Sequence, residues 1–363
     1  MSVKHHLPEH LPPKLNYGEF AKELARATYQ IGLLQGSQAR LQNASHLIGP
    51  LVAKEAAVSS KIEGTQSTSS DIYIYDAGGK PPHSDTPVVS NYRSAMLDAV
   101  TSIKTGRNLT SSLIKSLHST LLKNVRHKGV LGDFRDKPVW IAEKDGDPIE
   151  AAIYVPPEHF HVPAYMENIL DYVENNKDDL NIVKAGVVHY QFEAVHPFED
   201  GNGRIGRLLI PLILFYKREL SLPIVYSSGY FEARPLEYRE ALRIVDKTGK
   251  YEKWLVFFFN AITEQAKETI GLIDRILLLR NTIQTKYENS KSPYMNRFID
   301  YLFESPIFTI PKMQEKISIS VRLTAVRLVG QLEKDNVIQE IPGLKGPKGS
   351  KLFAFKSLLT IIR

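Results

Sequence analysis

Cysteine is absent from this chain, and with it go disulfides, thiolate-bound metals and cysteine nucleophiles. The absence suits a reducing compartment. Long hydrophobic runs are missing too. The longest, residues 208–216, falls well short of the roughly 20 residues needed to cross a bilayer. The N-terminal stretch holds His5, His6, Pro8, Pro12 and Pro13 where a secretory signal would place an apolar segment. Gly-Lys-Ser/Thr occurs nowhere, which excludes a Walker-type phosphate loop. No repeat of fixed period is visible. Together these absences predict a cytoplasmic protein with no membrane partner.

What is present is ordinary for a globular chain. The 363 residues, 43% hydrophobic and 24% charged, are enough for two or three domains with sizeable cores. Charge is distributed unevenly. Residues 290–363 carry 12 Lys/Arg against 6 Asp/Glu, whereas the preceding 289 residues hold 34 of each. The net charge of +6 therefore sits wholly in the C-terminal stretch. An anionic partner there and a solvated basic face both fit this pattern.

The apolar periodicity is mainly helical. Phe20, Leu24, Ile31, Leu34 and Leu41 keep helical spacing, and a second helix is expected from about Ile48 to Ile62, with Gly64 as its cap. A Ser/Gly/Pro-rich loop follows through Asp76–Pro82, then helices at about 86–104 and 110–124. Between Val139 and Val155 two β-like runs flank a polar turn at Asp145-Gly146-Asp147, which predicts a hairpin. Helices resume at about 163–176, 182–194, 203–218, 234–247 and 251–288. Ser290–Pro293 reads as a linker. Beyond it, helices near 294–304, 310–317 and 320–335 precede a strand at 336–341, a Gly/Lys-rich loop at 343–350 and a last strand at 351–355. That order resembles a winged helix, with 320–335 as recognition helix and 343–350 as wing. Three regions result: 1–85, 86–289 and 290–363.

Chemistry concentrates in one string, His196-Pro197-Phe198-Glu199-Asp200-Gly201-Asn202-Gly203-Arg204-Ile205-Gly206-Arg207. Gly201 and Gly203 let backbone amides approach an anion without Cβ interference. The apolar run from Leu208 to Tyr216 predicts a buried helix, which puts the turn at a helix N-terminus, where anions are favoured. Arg204 and Arg207 are three apart and can serve one ligand from one face. A histidine near its reference pKa of about 6.5 is mostly neutral and basic at pH 7. Phe198 reads as a packing anchor and His189 as structural. His159 and His161 lack an evident third ligand, so zinc is not expected.

The string resembles the core motif of the Fic (filamentation induced by cAMP) family: histidine, phenylalanine two on, an acid, Gly-Asn-Gly-Arg and a further arginine three on. The resemblance covers roughly residues 50–250. It implies a Fic-type helical bundle with 86–289 as its catalytic domain and the 139–155 hairpin as a flap that binds a target segment by strand addition. It implies transfer of AMP from ATP to a protein hydroxyl, with His196 as base and Asp200 as ligand of Mg²⁺. Gly201, Asn202 and Gly203 would line the anion site, Arg204 would reach the β-phosphate and Arg207 the γ-phosphate. Tyr238 would contact the nucleotide base.

A second segment, Ser59-Ser60-Lys61-Ile62-Glu63-Gly64, resembles the family's inhibitory motif. Spacing of four puts Ser59 and Glu63 on one helical face, and Glu63 would compete for the γ-phosphate site at Arg207. The reading is thus an autoinhibited protein adenylyltransferase acting on Ser, Thr or Tyr hydroxyls of a target protein or of itself, expected as a homodimer. Glu63 aiding the reverse reaction and transfer of another phosphate-containing group are variants. The alternative from another class is a winged-helix regulator that binds DNA through 290–363 while the Fic body senses nucleotide.

Overall fold

The computed structural model describes residues 5–40, 45–142, 144 and 146–362. Leu41, counted in the first helical stripe, and Asp145, placed in the polar turn, lie outside the described residues. In chain order the main elements are α1 (Ala21–Gln38), α2 (Ser45–Ile62), α3 (Ser69–Asp76), α4 (Thr86–Lys104), α5 (Ser111–Leu121), α6 (Val162–Asn175), α7 (Asn181–Val195), α8 (Asn202–Tyr216), α9 (Ser228–Ala233), α10 (Pro235–Thr248), α11 (Glu252–Lys286), α12 (Met295–Glu304), β1 (Ile307–Thr309), α13 (Ile310–Lys316), α14 (Arg322–Lys334), β2 (Gln339–Lys345), β3 (Lys351–Ala354) and α15 (Lys356–Ile361). The chain is mainly helical, as the periodicity implies. No helix among the described residues is long and apolar enough to cross a membrane.

Three local expectations change. α3 occupies a stretch read as loop, because Thr68 and Asp71 form a capping box: each side chain takes the other's backbone amide. α9 was also not anticipated. Among the described residues, the expected hairpin at 139–155 is one antiparallel bridge, Ile141 with Tyr154. The Ile141 amide donates to the Tyr154 carbonyl at 2.9 Å, and Ile153 donates back to Ile141 at 2.8 Å. Pro138, Pro156 and Pro157 have no amide to donate, which limits the ladder on the outer side of this bridge.

The chain divides into two compact units, Met1–Gln35 with Ser94–Ala266, and Gly36–Arg93 with Lys267–Arg363. In the first, α7 is buried all round, every residue from Ile182 to Phe192 included. Such a helix belongs at the centre of a bundle. It packs mainly on α8 and α6. The Trp254 indole of α11 donates to the Gly186 carbonyl at 2.8 Å. Ahead of α1, Tyr165 donates to the Pro8 carbonyl at 2.9 Å, and Asn168 bonds both backbone groups of Leu11.

In the second unit α2 packs on α12 and α3. A three-stranded antiparallel sheet has the order β1-β3-β2, with Phe308 opposite Phe353. β1 and α15 extend the helices and two-strand hairpin expected of this region. Phe298, Phe303, Phe308 and Phe355 are fully buried and form its aromatic core. Just ahead of Ser290–Pro293, Tyr287 is buried and donates to Asp335 at 2.7 Å.

Candidate active site

The turn between α7 and α8 is built by its own residues. His196 ends α7 in the left-handed conformation, φ 50° and ψ 62°, which costs a non-glycine residue about 1–2 kcal/mol. Its amide still closes the helix on Phe192 at 2.9 Å, and its half-buried imidazole has Nδ1 3.4 Å from the Glu193 carbonyl. Phe198 is fully buried. Asn202 receives the Phe198 amide at 2.8 Å and donates to the Phe198 carbonyl at 2.8 Å. Its amide group therefore closes the turn on itself and satisfies both backbone groups of a buried residue. Gly201 sits at φ 79°, where an added Cβ would also press within 3.2 Å of Leu121.

This turn delivers the N-terminus of α8, which no side chain caps. The first intrahelical bond runs from Ile205 to Gly201. The amides of Asn202, Gly203 and Arg204 are thus donors that the helix itself cannot satisfy, at the positive end of a 15-residue helix. Arg204 and Arg207 are both buried, at 7% and 2% exposure. Arg204 pairs with Asp200 at 3.1 Å, and Asp200 keeps about a third of its side chain exposed. At Gly206 an added Cβ would fall 2.3 Å from the Glu193 carboxylate, which would have to swing aside.

Two residues outside the motif hold the turn and were not read from the sequence. His118 lies flat on Phe198, centroids 3.9 Å apart and planes within 4°. Its Nδ1 accepts the Gly132 amide at 3.0 Å, so Nε2 carries the proton and donates to the Asp200 carbonyl at 3.1 Å. Burial pushes this imidazole down to about 4, and the Asp200 contact only partly offsets it. Arg135, 4% exposed, donates Nε to the His196 carbonyl at 2.8 Å and bonds Val195 and Pro157 through Nη2. Burial lowers even this guanidinium to about 10. Its sequence signal is slight: one arginine behind Gly132-Asp133-Phe134, whose Phe134 tilts against Phe198 at 5.5 Å.

Other expected residues lie elsewhere. Tyr238, expected at a nucleotide base, is 7% exposed. It stacks on Phe231 at 4.4 Å, and its hydroxyl meets His189 Nε2 at 2.8 Å. Tyr238 thus lies on the inward-facing stripe of α10. His189 is structural, buried and pushed down to about 3 by desolvation. Ser59 and Glu63 belong to the second unit. Ser59 is fully buried in α2, while Glu63 lies one residue past its end, exposed, in a turn that Gly64 completes at φ 89°.

Residues 108–214 match the model of the Fic/DOC family, and residues 21–101 that of the Fic/DOC family N-terminal region. A probable protein adenylyltransferase of Aquifex aeolicus is 29% identical over 159 residues, covering 44% of this chain and 47% of the relative. The chain thus spans about half the length of that relative. A Fido domain-containing protein of Dictyostelium discoideum is 31% identical over 132 residues, 35% of this chain and 80% of the relative. The crystal structure of a Fic family protein from Desulfovibrio desulfuricans matches with a TM-score of 0.60 at 18% identity, over 95% of this chain and 98% of that one. That last likeness concerns the fold.

Proposed function

The chain belongs to the Fic/DOC family, and from that premise we propose that it is a protein adenylyltransferase. The observation that carries the reading is the uncapped N-terminus of α8 beside His196, with two buried arginines on the same helix. The hydroxyl oxygen of a target Ser, Thr or Tyr attacks the α-phosphorus of ATP. The bond from that phosphorus to the bridging oxygen breaks, and pyrophosphate leaves. The hydroxyl proton passes to the His196 imidazole. The Asn202, Gly203 and Arg204 amides hold phosphate oxygens, Arg204 serves the β-phosphate and Arg207 the γ-phosphate.

Asp200 suits Mg²⁺ in donor chemistry, a partly exposed carboxylate beside the anion site. Among the described residues no group of three or more His, Asp or Glu could hold a metal by itself, so the nucleotide's oxygens would complete its shell. Bound there, Mg²⁺ would neutralise charge on the leaving pyrophosphate. Segment 139–155 serves as the flap that aligns the target, with its bridge at Ile141 as the pairing edge.

Glu63 acts as the brake in this reading, on the strength of the Ser59–Gly64 motif. Incubation with labelled ATP and Mg²⁺ tests both parts. Glu63→Gly should label strongly, on itself or on an added protein, and Glu63→Gly with His196→Ala should not label at all. Equal labelling of wild type and Glu63→Gly removes the brake. Labelling that survives loss of His196 removes the mechanism. A second reading, nucleic-acid binding by residues 290–363, draws support from exposed Arg322, Arg327, Lys345 and Lys348. Its measure is affinity for duplex DNA that falls steeply with salt.

A further inference from the structure

We propose that Arg135 is a positioning residue that locks the flap and the catalytic histidine into one frame; this rests on the adenylyltransferase reading. The flap leaves the body after residue 137 and rejoins it at residue 157. Arg135 bonds both of these roots, Nη1 to the Lys137 carbonyl at 3.2 Å and Nη2 to the Pro157 carbonyl at 2.5 Å. The same guanidinium holds the end of α7, Nε to the His196 carbonyl at 2.8 Å and Nη2 to the Val195 carbonyl at 3.3 Å. Its own backbone amide adds the Pro197 carbonyl at 2.9 Å. One rigid planar fork thereby sets the distance between the segment that presents the hydroxyl and the imidazole that takes its proton.

The choice of residue speaks for positioning. A buried site needing only packing is filled at less cost by an apolar side chain, because a desolvated guanidinium must find a carbonyl for each N–H. Here it finds four carbonyls, on both flap roots and on the end of α7. A lysine offers a point charge without the planar fork. His196 gains from such restraint, since its left-handed backbone carries a cost for a non-glycine residue. A second tie runs parallel: the Tyr154 hydroxyl of the flap donates to the Ala194 carbonyl at 2.8 Å.

The test uses the full chain in the Glu63→Gly background, with Arg135→Met and Arg135→Lys added separately. Positioning predicts that kcat for AMP transfer falls on the order of a hundredfold in Arg135→Met, as a misplacement of about 1 Å would produce. The KM for ATP should stay near the parent's, because no phosphate contact changes. Arg135→Lys should fall between the two. A readout independent of activity is acrylamide quenching of Trp140, 40% exposed in the flap, against Trp254, which is fully buried. Quenching should rise in Arg135→Met. Parental kcat in folded Arg135→Met, or full parental kcat in Arg135→Lys, overturns the proposal. If Arg135→Met does not fold, Arg135→Lys decides alone. A parent that labels nothing defeats the adenylyltransferase reading, whereas unchanged quenching defeats the role of Arg135.

Discussion

Replacing His118 with phenylalanine separates its ring from its nitrogens. The stack on Phe198 survives in shape, because a phenyl ring can occupy the same plane. Two hydrogen bonds vanish, and the Gly132 amide and the Asp200 carbonyl are left without them. Both groups are part-buried, and a typical hydrogen bond contributes about 0.5–1.5 kcal/mol, so the loss at pH 7.5 should be about 1–3 kcal/mol. The pH dependence carries the sharper test. His118 is held at about 4 in the folded chain against a reference of about 6.5 when unfolded. Between these values the unfolded chain binds the extra proton, so stability is lost as pH falls from about 6.5 towards 4. At pH 5 this amounts to about 2 kcal/mol, which wild type loses and the variant does not. The gap between the two proteins should therefore narrow by about that much on going from pH 7.5 to pH 5. Urea titration followed by the emission of Trp254, in the same unit, measures it. A gap of equal size at both pH values would refute the buried neutral imidazole.

Other outcomes follow from single contacts. Asn202→Ala removes both bonds to the Phe198 backbone; stability should fall by about 2–4 kcal/mol, with AMP transfer reduced more than ATP affinity, read by labelling kinetics against nucleotide titration. Thr68→Ala deletes the capping box of α3 and should cost about 1 kcal/mol, visible as a lowered unfolding midpoint with unchanged labelling in the Glu63→Gly background.

The sequence by itself determined most of the helices and the turn between α7 and α8. Both depend on neighbours along the chain: apolar residues at helical spacing, a glycine where φ is positive, and an uncapped helix start behind Gly201. Short-range rules also governed α3, whose capping box was legible in Thr68 and Asp71 but lay inside a stretch read as loop. The flap's pairing was misjudged because β-like runs announce strands without counting the prolines that silence their donors. Only the tertiary structure decided what holds the turn. Arg135 stands 61 residues before His196, and His118 stands 82 before Asp200; neither belongs to a motif of its own. It also decided that Tyr238 packs inward against Phe231, since an aromatic on a helix has the same signature whether it meets a ligand or a core. The chain encodes locally which groups can do the chemistry, while the distance between those groups is set by contacts that close only when remote segments pack.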